Sequence, residues 1–328
     1  MTDIRTLSEG EKITEPGFYA IPLSVHHAQP CDGPSVTSGV LRTMELQTPA
    51  DVWAFHRLNP NRIVKEPTAA LRLGTAMAAC VEGGRDAVLA RFKVHAEDKP
   101  RRPSKAQIEA YDGGKASEAA SASVEYWRAV DNDPDTVDGE AFGWLTVAEL
   151  DTILTMGEVL KADPAAGAVM GGIPEITMAV QDEQTGLWLL SRPDTVSVDG
   201  SVSDYKKMNT QGRPFNYRVV DNRITDHAYD MQLAFAAEAF ERLTGDWPGV
   251  AGIVAQWDQQ PHHVILREIA EEDLRIGQFR NRRAINRFHE CLTSGHWPGP
   301  GWDVGAYQRP QWQREMLLGE MNTEGTAP

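Results

Sequence analysis

Four side chains in the second half of the chain have the types and spacing of a hydrolytic metal site. Glu175, Asp194 and Asp204 are carboxylates, and Lys206 closes the run Ser203-Asp204-Tyr205-Lys206. On an extended strand, residues two apart share a face, so Asp204 and Lys206 point the same way. Whether Asp194 joins them depends on the intervening turn. Val198-Asp199-Gly200 read as a three-residue loop, with Gly200 left-handed, pairs Ser197 with Ser201 and sets Asp194 opposite Asp204. A two-residue loop would put the two aspartates on opposite faces. Two or three carboxylates beside one ammonium form a hard-oxygen cage for Mg²⁺ and leave a cation to serve an attacking water.

The elements that must position these residues begin with a change of pattern at Pro174. Residues 175–180 read as a strand and Gln184-Thr185-Gly186 as a turn. Residues 187–197 read as a second strand, carrying Arg192-Pro193-Asp194, and 201–206 as a third. A helix over 225–243, strands over 250–257 and 263–269, and a helix over 271–292 follow. Upstream the pattern is helical: 35–46 with Ser35 as N-cap, 49–57, 75–81 continuing over 85–92, and 104–130 broken at Gly113-Gly114. Thr146 with Glu149 has capping-box spacing for one more helix. This order specifies an α/β (α+β) fold, a mixed central sheet flanked by helices with a helical N-terminal half. We read 1–328 as a single domain. Residues 1–95 are its N-terminal part, 96–170 a helical insertion, 171–296 the catalytic core, and 297–328 a Pro/Gly/Trp-rich tail.

Charge and cysteine usage narrow the function classes. The 328 residues include 32 Lys and Arg against 47 Asp and Glu, a net charge of −15. Such a chain is not a generic nucleic-acid coat. It suits a nucleic-acid enzyme only if positive charge gathers at one cleft. Cys31, Cys80 and Cys291 lie far apart with no CxxC pair. That excludes a four-cysteine iron–sulfur cluster and argues against a disulfide framework or a cysteine zinc site. The adjacent pairs His26-His27 and His262-His263 point apart on extended chain, which disfavours either as a metal clamp. No run approaches a membrane span and the N-terminus lacks a secretory pattern, so the expectation is a cytoplasmic protein that does not enter a membrane.

Pro193-Asp194 and Asp204-Tyr205-Lys206 together resemble the signature of the PD-(D/E)xK nuclease superfamily. The flanks are similar to its RecE-like, phage-type exonuclease branch (exodeoxyribonuclease VIII-like). They include Gly17-Phe18-Tyr19, His27-Ala28-Gln29-Pro30, Pro34-Ser35, Leu58-Asn59-Pro60-Asn61, Leu73-Gly74-Thr75-Ala76, Pro174-Glu175, Tyr229-Asp230-x-Gln232 and Trp297-Pro298-Gly299. The collinear series covers nearly the whole chain. The resemblance implies a restriction-endonuclease-like core and Mg²⁺ held by Glu175, Asp194, Asp204 and the Tyr205 carbonyl, with Mn²⁺ able to substitute. It implies catalytic roles for Glu175, Asp194, Asp204, Lys206 and Gln232. It also implies double-stranded DNA ends as substrate, 5′-strand digestion, a homo-oligomer, and a single-strand annealing protein as partner. Two positions depart from the branch: Ala78 stands where it carries His, and Ala236 where it carries Tyr. They motivate an alternative, a catalytically weakened fold that binds DNA ends or a recombination protein.

The remaining question is how an acidic chain holds DNA. On the helix over 271–292, Arg280, Arg283 and Arg287 cluster within about 60°, away from Leu274, Ile285, Phe288 and Leu292. With Arg101 and Arg102 of a charged loop, they are the candidate phosphate contacts.

Overall fold

One bent ribbon of chain runs through two five-stranded sheets, and the bend is where the functional candidates lie. The computed structural model describes residues 3–64, 68–132, 136–137, 140–141, 143–197, 200–301 and 305–324. The N-terminal part supplies β1 (Ile4–Arg5), β2 (Gly17–Tyr19), α1 (Leu23–His27), β3 (Ser35–Thr37), α2 (Ser38–Leu46) and α3 (Pro49–Phe55). The helix expected over 35–46 is therefore shorter. Ser35, Val36 and Thr37 take extended backbone because they pair with a later strand and bury Val36. Thr48 and Asp51 form a capping box on α3, with Pro49 in its first turn.

The middle supplies α4 (Ala69–Arg91), β4 (Lys93–Val94), α5 (Lys105–Asp112), α6 (Glu118–Asp131), β5 (Thr136–Val137), β6 (Glu140–Ala141), β7 (Trp144–Leu145), α7 (Val147–Ala162) and α8 (Pro164–Met170). α4 joins the two expected helical pieces across a kink at Gly83-Gly84. Ser104 with Gln107 and Thr146 with Glu149 form the capping boxes that start α5 and α7. The core supplies β8 (Ile173–Pro174), β9 (Thr177–Gln181), β10 (Trp188–Ser191), β11 (Thr195–Val196), β12 (Val202–Met208), α9 (Tyr217–Asp226), α10 (Tyr229–Thr244), β13 (Ala251–Trp257), β14 (Val264–Glu268), α11 (Glu271–Ser294) and α12 (Gln311–Glu324). The helix expected over 225–243 is two helices, parted by left-handed Ala228. The tail contains α12, which its Pro/Gly content concealed.

The strand orders are β1-β2-β9-β10-β3 and β14-β13-β12-β11-β8. Ser191 faces Met178 in the first sheet, and Thr195 faces Pro174 in the second. Each partner has moved four positions, so β10–β11 and β9–β8 are one antiparallel ribbon without a register slip. The strand expected over 187–197 is interrupted at Arg192-Pro193-Asp194, where Pro193 has no N–H to give a ladder. The strand expected from Glu175 starts at Thr177, because Glu175 is left-handed with φ 48°. Both interruptions fall side by side, and the ribbon folds there from one sheet into the other.

The bend wraps around α10. Leu233, Ala236, Ala237 and Phe240 of α10 share one core with Met178 and Val180 of the first sheet and Val202 and Ile253 of the second. The opposite face of the second sheet, with Tyr205 and Val254, packs on Ala76, Met77, Ala79 and Cys80 of α4 and on Ile153 and Met156 of α7. Among the described residues no helix is long and apolar enough to cross a membrane.

α11 locks α10 in place through a close approach at Gly277. A Cβ there would lie 2.7 Å from the Ala234 Cβ and 2.8 Å from the Asp230 carbonyl oxygen. Overpacking of this kind costs about 1–3 kcal/mol, against about 1 kcal/mol gained in helix propensity. Gly277→Ala is expected to lower the denaturation midpoint. Gly74→Ala, whose Cβ would meet nothing within 4 Å, is expected to hold or raise it. Denaturant titration of both variants checks the pair.

Candidate active site

The bend sets three carboxylate-bearing positions across neighbouring strands. Glu175 N–H donates to the Asp194 carbonyl at 3.0 Å, continuing the ribbon through its bend. Between β11 and β12, Val196 faces Val202 and Thr195 faces Ser203. Ser197 N–H donates to the Ser201 carbonyl at 2.8 Å, and Gly200 is left-handed with φ 81°. This is the register that a three-residue connection produces, and it sets Asp194 across from Asp204. Val198 and Asp199 lie outside the described residues.

Asp194 and Asp204 are held differently. The Asp194 Oδ2 accepts the Tyr205 N–H at 2.7 Å. Burial, then the charge of Asp204, pushes the Asp194 carboxyl from an ordinary 3.8 up to about 7, while Lys206 and the Tyr205 N–H oppose the rise. Asp204 is only 2 % exposed. Its Oδ1 accepts Gln232 Nε2 at 2.8 Å, and its Oδ2 accepts the Lys206 ammonium. Burial by itself would lower the Lys206 pKa; the charges of Asp204 and Asp194 outweigh it and raise the value. Lys206 therefore stays a cation, resting 5.0 Å from the centroid of the Tyr229 ring.

Glu175 stands slightly apart. Its Oε2 accepts Arg192 Nη2 at 2.9 Å. Arg192 Nη1 also donates to the Ile21 carbonyl at 2.5 Å and to Thr177 Oγ1 at 3.3 Å. The His26 ring meets the same hydroxyl, 3.0 Å from Nδ1. Burial first, then the charges of His27 and Arg192, holds His26 well below the ordinary imidazole range, so its ring is neutral.

A divalent cation can be tested against these donors. Among the described residues no three His, Cys, Asp or Glu side chains form a ready cluster. The near donors are the Asp194 and Asp204 carboxylates, with Gln232 Oε1 buried and without a hydrogen-bond partner among the described residues. The Tyr205 carbonyl belongs with them. Its N–H points to Asp194, and N–H and C=O of one strand residue point to the same side. Two close carboxylates, one holding a proton to about pH 7, and an orphaned amide oxygen fit a hard cation. Arg192 engages only Oε2 of Glu175, whose charge adds to the rise at Asp194.

The other expected residues lie farther out. Arg280 pairs with Glu45 at 3.3 Å and with Asp230 at 3.1 Å. Arg283 also pairs with Glu45 and stacks 5.4 Å from the Phe279 ring centroid, while Arg287 is exposed. Arg280 and Arg283 thus tie α11 to α2 and α10. Arg102 pairs with Asp131 at 2.7 Å and lies 4.7 Å from the Trp127 ring centroid; Arg101 beside it is exposed. Ala78 is half-buried on α4, between Met77 and Ala79, which pack on the sheet face that carries Tyr205. Ala236 is buried in the α10 core. Lys207 lines a cavity of about 210 Å³ with Leu73, Met77 and Met156, on the face away from Lys206.

Sequence reasoning missed Arg42. This residue of α2 reaches the site, with its guanidinium 5.4 Å from the Tyr229 ring centroid and Asp204 close enough to attract its charge. The available signal was a lone cation flanked by the buried positions Leu41 and Met44.

No protein-family model matches the chain, and no curated protein matches it by sequence. Its fold is similar to the crystal structure of a candidate exonuclease from Eubacterium rectale. The TM-score is 0.57 at 12% identity, over 92% of this chain and 99% of the other. The likeness establishes a shared mixed α/β fold.

The Asp194 proton gives a test of the site's electrostatics. The unfolded carboxyl ionises near 3.8, whereas the folded one keeps its proton to about 7. Between those values the folded state binds more protons, so this group's contribution to stability falls as pH rises through the window. Asp194→Asn has no proton to lose. Its gain in melting temperature over the native protein is expected to be small at pH 4, to grow towards pH 7 and to level off above. A gain independent of pH contradicts the placement.

Proposed function

We propose that this chain is a Mg²⁺-dependent DNA exonuclease that acts on double-stranded ends in phage-type recombination. The observation that carries the reading is the convergence of Asp194, Asp204 and Lys206, with Gln232 orienting Asp204. The similar fold of a candidate exonuclease supports it. Asp194, Asp204, the Tyr205 carbonyl and Glu175 would hold the cation. The cation would supply Lewis acidity toward a water and the scissile phosphate.

The chain's own residues supply the rest. Lys206 donates to the attacking water or to a phosphate oxygen once its bond to Asp204 opens. Gln232 keeps the Asp204 carboxylate from rotating as Lys206 leaves. As the water oxygen bonds to phosphorus it releases a proton to solvent; the bond from phosphorus to the leaving sugar oxygen breaks, and that oxygen takes up a proton from solvent. The sheet fixes the donors before DNA arrives, so little reorganisation is needed at the step. Arg101 and Arg287 are the exposed candidates for phosphate contacts, and Arg102 joins them if Asp131 releases it. Arg280 and Arg283 contribute only if their acidic partners release them. A homo-oligomer and a single-strand annealing partner belong to this reading.

Two observations favour a second reading, a weakened nuclease fold that binds DNA ends. Ala78 offers no imidazole, and Glu175 is tied to Arg192. One assay separates the two. With Mg²⁺, end-labelled linear duplex should be degraded while a covalently closed circle survives. Asp204→Asn should lower the rate by roughly 10²-fold or more, with the fold retained. End binding by the native protein without degradation selects the second reading. Wild-type activity in Asp204→Asn overturns the site.

A further inference from the structure

We propose that Arg42 is a phosphate-holding residue of this site, placed to grip a non-bridging oxygen of the linkage that Lys206 faces. The inference rests on the nuclease reading and adds a positioning group to it.

Two cations rest against the same aromatic ring. Lys206 Nζ lies 5.0 Å and the Arg42 guanidinium carbon 5.4 Å from the centroid of one ring, Tyr229. One aromatic ring thus carries both cations, and each is attracted by the Asp204 carboxylate. Lys206 is neutralised there by Asp204. Among the described residues Arg42 has no ion pair of that kind. Its Nη1 donates to the His227 carbonyl at 3.1 Å, at the C-terminal end of α9. Its Nε is buried and has no hydrogen-bond partner among the described residues.

An arginine presents five N–H donors in a planar fork suited to phosphate. Leaving one of them buried and unpaired is unfavourable, so such a group is strained, holds a water or awaits a ligand. The surroundings select the ligand. Arg42 is half-buried and already lies near Asp204 and Asp230, so an anion must offer more than these distant charges do. A phosphodiester oxygen seated between Lys206 and Arg42 would do so. It would face both cations and complete the Arg42 fork. Gln232 Oε1, also buried and unpartnered, lies on the carboxylate side of the same site and suits a cation or a water proton instead. The two orphaned atoms thus mark opposite polarities, an acceptor towards the acids and a donor towards the phosphate.

A purely structural role for Arg42, fastening α2 to the end of α9, predicts a different outcome, so the test uses a substrate probe. Two short duplexes are compared, one native and one with a single neutral methylphosphonate at the terminal scissile linkage. Binding is read by fluorescence anisotropy in EDTA, and cleavage of the native duplex is measured with Mg²⁺. The native protein is expected to bind the charged linkage roughly tenfold more tightly than the neutral one, the size of a charge-assisted hydrogen bond. In Arg42→Met that ratio should shrink several-fold. Its kcat/KM should fall roughly 10²–10³-fold, mostly in kcat. Arg42→Lys keeps the charge without the fork and should recover only part of both.

A folded Arg42→Met that keeps the full binding ratio and the native rate overturns the proposal. If that variant does not fold, the native protein still decides: active cleavage without preference for the charged linkage overturns it. A native protein that neither binds nor cuts duplex DNA overturns the nuclease reading, and the Arg42 proposal falls with it.

Discussion

Everything in the site depends on placing two carboxylates opposite each other on adjacent strands, Asp194 from the bent ribbon and Asp204 from β12. Like charges in that relation repel, and burial worsens the repulsion. The fold tolerates it through three contacts: the Tyr205 N–H on Asp194, and Gln232 and Lys206 on Asp204. Even so, Asp194 retains a proton to about pH 7. The site is therefore short of positive charge in the place where a hard cation would sit. Stability is given up locally for a preorganised donor set, a trade common at functional sites.

The ribbon bend makes this geometry possible. A flat hairpin would continue one sheet and leave Asp194 in a ladder. At Pro193 the ladder stops, at left-handed Glu175 the partner strand turns, and the ribbon passes around α10. That path carries Gln232 and Tyr229 of α10 to the same point as Asp204 and Lys206 of β12. α2 closes the other side with Arg42. Its Glu45 anchors Arg280 and Arg283 of α11, so much of the charge on that helix holds the frame around the site.

What could be read from the sequence was local. Alternation put Asp204 and Lys206 on one face, while the hairpin at Asp199-Gly200 left open whether its connection has two residues or three. Thr146-x-x-Glu149 announced its helix through a reciprocal cap, and Ser104 marked the start of another. What could not be read was set by distant partners. Ser35 to Thr37 resemble a helix start but become a strand, because β10 offers them a ladder. The 187–197 segment resembles one strand but divides between two sheets, because α10 fills the inside of the bend. Arg42 gives no motif. Its meaning comes from Tyr229, a residue that only tertiary packing brings beside it. The Glu175–Arg192 pair was partly accessible, since the ribbon register sets Arg192 two places from the residue opposite Glu175.

The central claim is that the Asp194–Asp204 pair is a cation site from which Lys206 can be displaced. Crystals grown with Mn²⁺ and measured at its absorption edge test this most directly. The account predicts an anomalous peak in contact with both carboxylates, with the Lys206 ammonium moved off Asp204. A fully soaked crystal with no peak between these carboxylates, and with Lys206 still bound to Asp204, would contradict it.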